Sequence, residues 1–132
     1  MNQRTQKNLV TAMQGEAFAY VKYLLFAERA RKNGHPALAD LFEKTANIER
    51  LEHLAEEAEL AGLVGSDADN LANAIEGESY EVETMYREFA EQAAGDGDQA
   101  ASKRFAEVRG EEMGHRAAYK AALIQLNLVS ER

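Results

Sequence analysis

Residues 105–122 read FAEVRGEEMGHRAAYKAA. The line Phe105, Val108, Glu112, His115, Tyr119, Ala122, continued to Leu126, advances in alternating steps of three and four, the inward seam of a packed helix. In its middle, where Leu or Ile would complete the stripe, a carboxylate and an imidazole stand three residues apart, on one face and about one turn from each other. An ionised Glu inside a helical bundle is costly unless positive charge lies beside it. The pair is therefore either a turn at the surface or half of a metal site, and the rest of the chain has to distinguish the two.

The chain has 132 residues, enough for one domain with its own core, read as residues 1–132. One Pro, no Trp and a composition dominated by Ala, Glu, Leu, Lys and Arg predict an all-α protein. A net charge of −8 with no basic cluster argues against nucleic acid or an anionic membrane as partner. The absence of Cys removes disulfides, thiolate metal sites and Cys nucleophiles together. No apolar run approaches the roughly 18 residues that cross a bilayer. The first residues, Met1 to Asn8, lack the apolar stretch of a signal peptide, so the expected location is cytoplasmic.

Four helices are predicted, over 4–32, 36–61, 70–94 and 98–128. The first has the seam Leu9, Met13, Glu16, Tyr20, Tyr23, Ala27, Ala30, apolar except for one carboxylate. Gly34 and Pro36 punctuate it, Gly stopping one helix and Pro opening the next. The second turns Leu38, Leu41, Phe42, Thr45 and Ile48 inward, then Glu49 and Glu52 on the same face. Residues 62–69 form a short polar link in which Asp67 or Asp69 can cap the next helix. The third helix carries Leu71, Ile75, Glu78, Val82, Met85 and Phe89, with Glu81 beside Glu78. Met13, Met85 and Met113 read as packing residues, Tyr20 and Tyr119 as core, and His35 as exposed. Glu56, Glu57, Glu59, Glu83, Glu88, Glu91 and Glu111 read as solvated surface.

The halves echo each other. Gly15-Glu16-Ala17 answers Gly77-Glu78-Ser79, and Phe42 precedes Glu49 by seven residues as Phe105 precedes Glu112 by seven. Glu16 to Glu49 spans 33 residues and Glu78 to Glu112 spans 34. Every helix thus sets a carboxylate at a common level, a ring of acid that cannot fold dry and unpaired. Two cations would neutralise it, and bridging carboxylates with an imidazole suit iron or manganese. A Glu from each of two helices, joined by Glu-x-x-His motifs, is the donor pattern of ferritin-like di-metal bundles.

At these residues the chain resembles rubrerythrin, in its ferritin-like di-iron domain and without the rubredoxin domain. The resemblance rests on Gly15-Glu16-Ala17, Thr45-Ala46-x-x-Glu49-Arg50, Gly77-Glu78-x-x-Glu81 followed by Met85-Tyr86, and Glu112-x-x-His115, and it covers about residues 4–119. It implies a ferritin-like four-helix bundle holding two iron ions, with manganese or zinc as possible substitutes. It further implies Glu16, Glu49, Glu78, Glu81, Glu112 and His115 as metal ligands, Glu49 and Glu112 bridging. Tyr23 and Tyr86 match tyrosines that hydrogen-bond the ligand carboxylates. Where the family has His, this chain has Glu52, with His53 next to it. Relative to Glu49, His53 lies about 40° to one side and Glu52 about 60° to the other at 100° per residue. Glu52 is the favoured reading and His53 the substitute.

Without Cys the chain holds no rubredoxin-type centre, so electrons are expected from a separate donor such as a rubredoxin-like protein. In a ferritin-like bundle the second and third helices run the same way, and the link between them is too short to return along the bundle. The expectation is an intertwined homodimer in which helices exchange between copies. The implied activity is reduction of hydrogen peroxide to water. The alternatives are a ferroxidase or O2-reducing protein, a metal-binding or iron-storage protein without turnover, and a helical assembly module with exposed acids.

Overall fold

The computed structural model describes residues 1–130, and the last two positions of the predicted 1–132 domain lie outside the described residues. Among the described residues every regular element is helical. The elements are α1 (Gln3–Lys32), α2 (Pro36–Ile48), a π-helical turn π1 (Glu49–Leu54), α3 (Ala55–Ala61), α4 (Asp67–Tyr80), a second π turn π2 (Glu81–Met85), α5 (Tyr86–Asp96) and α6 (Gln99–Ser130). The all-α reading holds. Elements α2, π1 and α3 follow one another without a break, as do α4, π2 and α5, so four rods result.

Local chemistry sets the ends. The Asn2 side chain accepts from the Arg4 N–H at 2.8 Å and opens α1. Gly34, at φ 78°, closes it, and Pro36 takes the first position of α2, where its missing N–H is not needed. His35 between them is exposed, as expected. Gly62 (φ 63°) and Gly97 (φ 84°) end α3 and α5 in the left-handed region that a side chain disfavours. The third rod starts three residues earlier than the predicted 70, because the cap is Ser66 rather than Asp67 or Asp69. Ser66 Oγ accepts from the Asp69 N–H at 3.2 Å, and the Asp69 carboxylate accepts from the Ser66 N–H at 3.3 Å. The link between second and third rods therefore shrinks from 62–69 to 62–66.

The chain forms two compact units, residues 1–64 and 65–132. In the first, α1 packs along α2, π1 and α3, and the three-residue connection makes the pair antiparallel. Its buried residues are Met13, Ala27, Ala30, Ala39 and Ala46. With Ala at four of these five places, the two backbones come close together. Arg31 ties the closed end, donating to Asp40 and to Glu43, each at 2.8 Å. In the second unit α6 packs along α4, π2 and α5, with Val82 and Ala93 buried. Each unit is a helical hairpin with one aromatic trio: Tyr23, Phe26 and Phe42 in the first, Tyr86, Phe89 and Phe105 in the second.

Both hairpins leave large apolar side chains uncovered. Phe18, Leu25, Leu41 and Leu51 are each 59–68% exposed, and Met113, expected as packing, is 49% exposed. Tyr119, expected in the core, is 38% exposed. It lines an apolar groove of about 660 Å³ between α4 and α6, with Leu71, Ala74, Ala122, Leu126 and Val129.

Ala39 is 0% exposed against α1, so Ala39→Leu is expected to lower stability by about 1–3 kcal/mol through overpacking. Thermal unfolding followed by circular dichroism checks this. Lys44→Ala at an exposed position of the same helix should stay within about 0.5 kcal/mol of the parent.

Candidate metal centre

In the first hairpin, α1 carries Glu16 and the second rod carries Glu49 and His53. One ligand atom from each lies within 4.8 Å of the others. His53 Nδ1 sits 2.9 Å from Glu49 Oε2 and 3.6 Å from Glu16 Oε2. The second hairpin repeats the trio with Glu78 from α4 and Glu112 and His115 from α6. His115 Nδ1 is 2.7 Å from Glu112 Oε2 and 3.8 Å from Glu78 Oε1. The four carboxylates are largely shielded and the two imidazoles stand at the open edge, half exposed or more.

Glu52 joins neither trio: it is exposed, and His53 occupies the place beside Glu49. The cause is π1. A turn bonded i→i+5 carries more residues than an α turn, so the fourth residue on comes into line with Glu49 and the third is swung away. The 100° step that favoured Glu52 does not apply to this turn. Glu81 lies outside the second trio, yet its charge reaches both Glu78 and Tyr86. Tyr23 and Tyr86 belong to the aromatic trios, and the charges of Glu81 and Glu112 reach Tyr86. Glu57, read as solvated, buries one carboxylate oxygen that has no hydrogen-bond partner.

Within each carboxylate pair the two members are pushed in opposite directions. The hydrogen bond to Glu49 raises the Glu16 carboxyl above its ordinary value, and the same bond holds Glu49 below it. Burial, then the hydrogen bond to Glu112, raises Glu78, while that bond lowers Glu112. Glu49 raises His53 and Glu112 raises His115 through their hydrogen bonds. Burial, with the charges of Glu81 and Glu112 behind it, keeps the Tyr86 hydroxyl protonated.

These residues fit a cation. Glu78 Oε2 is buried with no hydrogen-bond partner, an acceptor with nothing to accept from. The imidazole beside each pair brings positive charge when protonated, and a metal ion would take that place. Carboxylate and imidazole donors without thiolate suit iron or manganese.

The rubrerythrin family profile matches residues 7–53 and 45–123. The chain belongs to the rubrerythrin family. It is 34% identical to rubrerythrin from Porphyromonas gingivalis, over 91% of this chain and 66% of that protein. It is 33% identical to rubrerythrin from Nitratidesulfovibrio vulgaris, over 80% of this chain and 61% of that protein. To nigerythrin of the same organism it is 33% identical, over 89% and 65% respectively. The chain thus spans a little under two thirds of the length of these relatives. A structure of nigerythrin in its fully reduced, all-ferrous state aligns with 93% of this chain and 67% of its own, at 32% identity and a TM-score of 0.49.

Sequence reasoning missed the side chains that hold π2. Arg109 Nε donates to the Val82 carbonyl at 2.6 Å, and Arg116 pairs with Glu83 at 2.8 Å. A π turn disturbs the i→i−4 ladder, and Arg109 satisfies one of the carbonyls within it.

The pH dependence follows from these directions. The raised His53 and His115 stabilise the metal-free protein fully below their ordinary value of 6.5, and this contribution fades as pH rises through their raised values. The lowered Glu49 and Glu112 stabilise it above 4.5, an effect lost as pH falls through their lowered values. Histidine NMR titration of the metal-free protein should therefore give midpoints above 6.5 for His53 and His115. Metal uptake in weak buffer should release fewer protons as pH climbs past those midpoints.

Proposed function

We propose that this chain is a non-haem di-iron oxidoreductase that reduces hydrogen peroxide to water with electrons from a separate donor protein. The observation that carries the reading is the pair of matching trios, each with two carboxylates and one imidazole drawn within 4.8 Å. Glu16, Glu49 and His53 would hold one side of an iron pair, and Glu78, Glu112 and His115 the other, with Glu81 beside Glu78. Bound there, iron would supply the two electrons that break the O–O bond. Reduction of one peroxide to two waters also consumes two protons, and a ligand carboxylate such as Glu16 or Glu78 is suited to relay them. The Tyr86 hydroxyl, protonated beside Glu81 and Glu112, would steady a carboxylate. The sequence-level case for storage without turnover leaned on a missing imidazole, and His53 in the first trio supports the oxidoreductase instead.

Each half of the centre would be closed by the complementary hairpin of a second copy, giving an intertwined homodimer. In a ferritin-like bundle, returning from His53 to the Ala61 end of one rod and back up from Asp67 to Glu78 means covering roughly 28 Å. The five residues 62–66 reach at most about 21 Å between the flanking helices. The uncovered Phe18, Leu25 and Leu41 and the groove between α4 and α6 supply apolar surface for such closure.

Anaerobic stopped-flow mixing of the ferrous protein tests the activity: oxidation by peroxide is expected to be much faster than by O2. The reverse order would assign a ferroxidase or oxidase, and no reaction with either would leave storage. Light scattering of the iron-loaded protein should give twice the chain mass, and a fully loaded monomer would sink the exchange.

A further inference from the structure

The closed ends of the two hairpins carry matching cavities, away from the metal ligands. In the first hairpin Phe26, Ala30 and Phe42 wall a cavity of about 230 Å³. In the second, Phe89, Ala93 and Phe105, each 63 residues further on, wall one of about 420 Å³. The aromatic walls are alike, with centroids 5.5 Å apart for Phe26 and Phe42 and 5.6 Å apart for Phe89 and Phe105. Phe26 and Phe89 keep 40–45% of their surface exposed. Leu38 lines the first cavity where the smaller Ala101 lines the second, which accounts for the difference in volume.

The polar side of each cavity is where the two part. Arg29, Asn33 and His35 line the first. Gln92, Asp96 and Asp98 hold the same places in the second. A guanidinium, an amide and an imidazole have N–H groups to donate, whereas ionised carboxylates only accept. One scaffold thus offers cationic donors at one closed end and anionic acceptors at the other. These charges are not spent within the fold. Arg31 is held by Asp40 and Glu43, and Lys32 by Glu28. Arg29, Asp96 and Asp98 have no ion-pair partner among the described residues.

We propose that the closed-end cavity of the first hairpin binds a small aromatic carboxylate, and that the matching cavity of the second rejects this anion and takes an aromatic amine instead. An apolar hollow with a few convergent polar groups is the ordinary form of a ligand site. A volume of about 230 Å³ suits a single ring with its charged group. The ring packs against Phe26 and Phe42, where a third aromatic extends the edge-to-face pair. The carboxylate meets the Arg29 fork, which matches it in shape and charge, with Asn33 and His35 as further donors. In a chain of net charge −8 an anion is not drawn by the overall field, so the local donors have to select it. Phe42 lies seven residues before Glu49, roughly 10 Å along the rod, so the ligand stays clear of the first trio.

Titration of the full chain with benzoate and with benzylamine, followed by amide NMR, tests the proposal, since the two probes share a ring and differ in charge. Benzoate should shift the amide signals of residues 33–35 and leave those of 96–98 in place, and benzylamine should do the reverse. Arg29→Gln, which gives the first cavity the side chain found at this place in the second, should weaken benzoate binding about tenfold or more. Lys32→Ala, which removes a nearby charge that does not line the cavity, should leave benzoate binding unchanged. Carrying the whole polar set across, with Arg29→Gln, Asn33→Asp and His35→Asp together, should make residues 33–35 respond to benzylamine. All three positions are exposed, so circular dichroism of these variants should match the parent. If both probes shift the same amides equally, if benzoate shifts none at 33–35, or if Lys32→Ala costs as much as Arg29→Gln, the proposal is overturned. None of these readouts involves iron, so the proposal and the metal reading stand or fall separately.

Discussion

Two carboxylates facing each other across a helical pair cannot both stay ionised unless positive charge comes between them. That constraint organises both hairpins. Glu16 with Glu49, and Glu78 with Glu112, meet it through a mutual hydrogen bond and an imidazole at the edge. Of each pair, one member is held above its ordinary value and the other below. The arrangement is thus a stand-in for a cation, and it explains why an acid belongs in a seam that otherwise asks for Leu.

The carboxylates can meet only because the rods come close. Ala46 is fully buried one turn before Glu49, and Ala27, Ala30 and Ala39 form the cluster nearer the closed end, with Phe42 packed against it. A larger side chain at Ala46 would hold the backbones apart by its own width and open the Glu16–Glu49 contact. The same economy has a consequence for stability. A hairpin whose buried residues are mostly Ala hides little apolar area, and Phe18, Leu25 and Leu41 remain outside. Such a unit needs a further helical layer to be stable, and the layer that would cover it is also the one that would complete the centre.

Much of this was legible in the sequence because it depends on period and punctuation. Gly34-Pro36 and Gly97 mark real turns, and the seam placed Glu16, Glu49, Glu78, Glu112 and His115 where their side chains converge in pairs. What was not legible depends on departures from the α period. A reading at 100° per residue brings Glu52 and His53 almost equally near Glu49, and only the wider π turn separates them. The sign of a departure was present in the 33- and 34-residue spacings of the paired acids, but a spacing does not say whether a surplus residue shifts a helix or is absorbed. Arg109 could not be singled out either, since its partner is a backbone carbonyl that only the π turn makes needy. Ser66 was overlooked because Ser66, Asp67 and Asp69 can each cap a helix, and the capping box of Ser66 with Asp69 decides among them.

The numbering offset between matching residues of the two hairpins is 63 from Tyr23/Tyr86 to Glu49/Glu112 and 62 at Glu16/Glu78 and His53/His115, and its two changes follow from the same mechanics. Between Tyr23 and Glu49 in the first hairpin, and between Tyr86 and Glu112 in the second, the offset is constant through the aromatic trio and the tight turn. In that stretch two rods are locked to each other at the closed end. A surplus residue there would have to slip aromatic against aromatic and acid against acid together. Just beyond either end of the block, only one rod is affected, and a single π turn can restore the phase within about one turn of helix. One change of offset lies just before Tyr86, at π2, and the other just after Glu49, at π1, at opposite ends of the equivalent block. Glu78 and His53, on the far side of each, are thus kept in register with their trios by π2 and π1, and Arg109 donates to a carbonyl of the second turn.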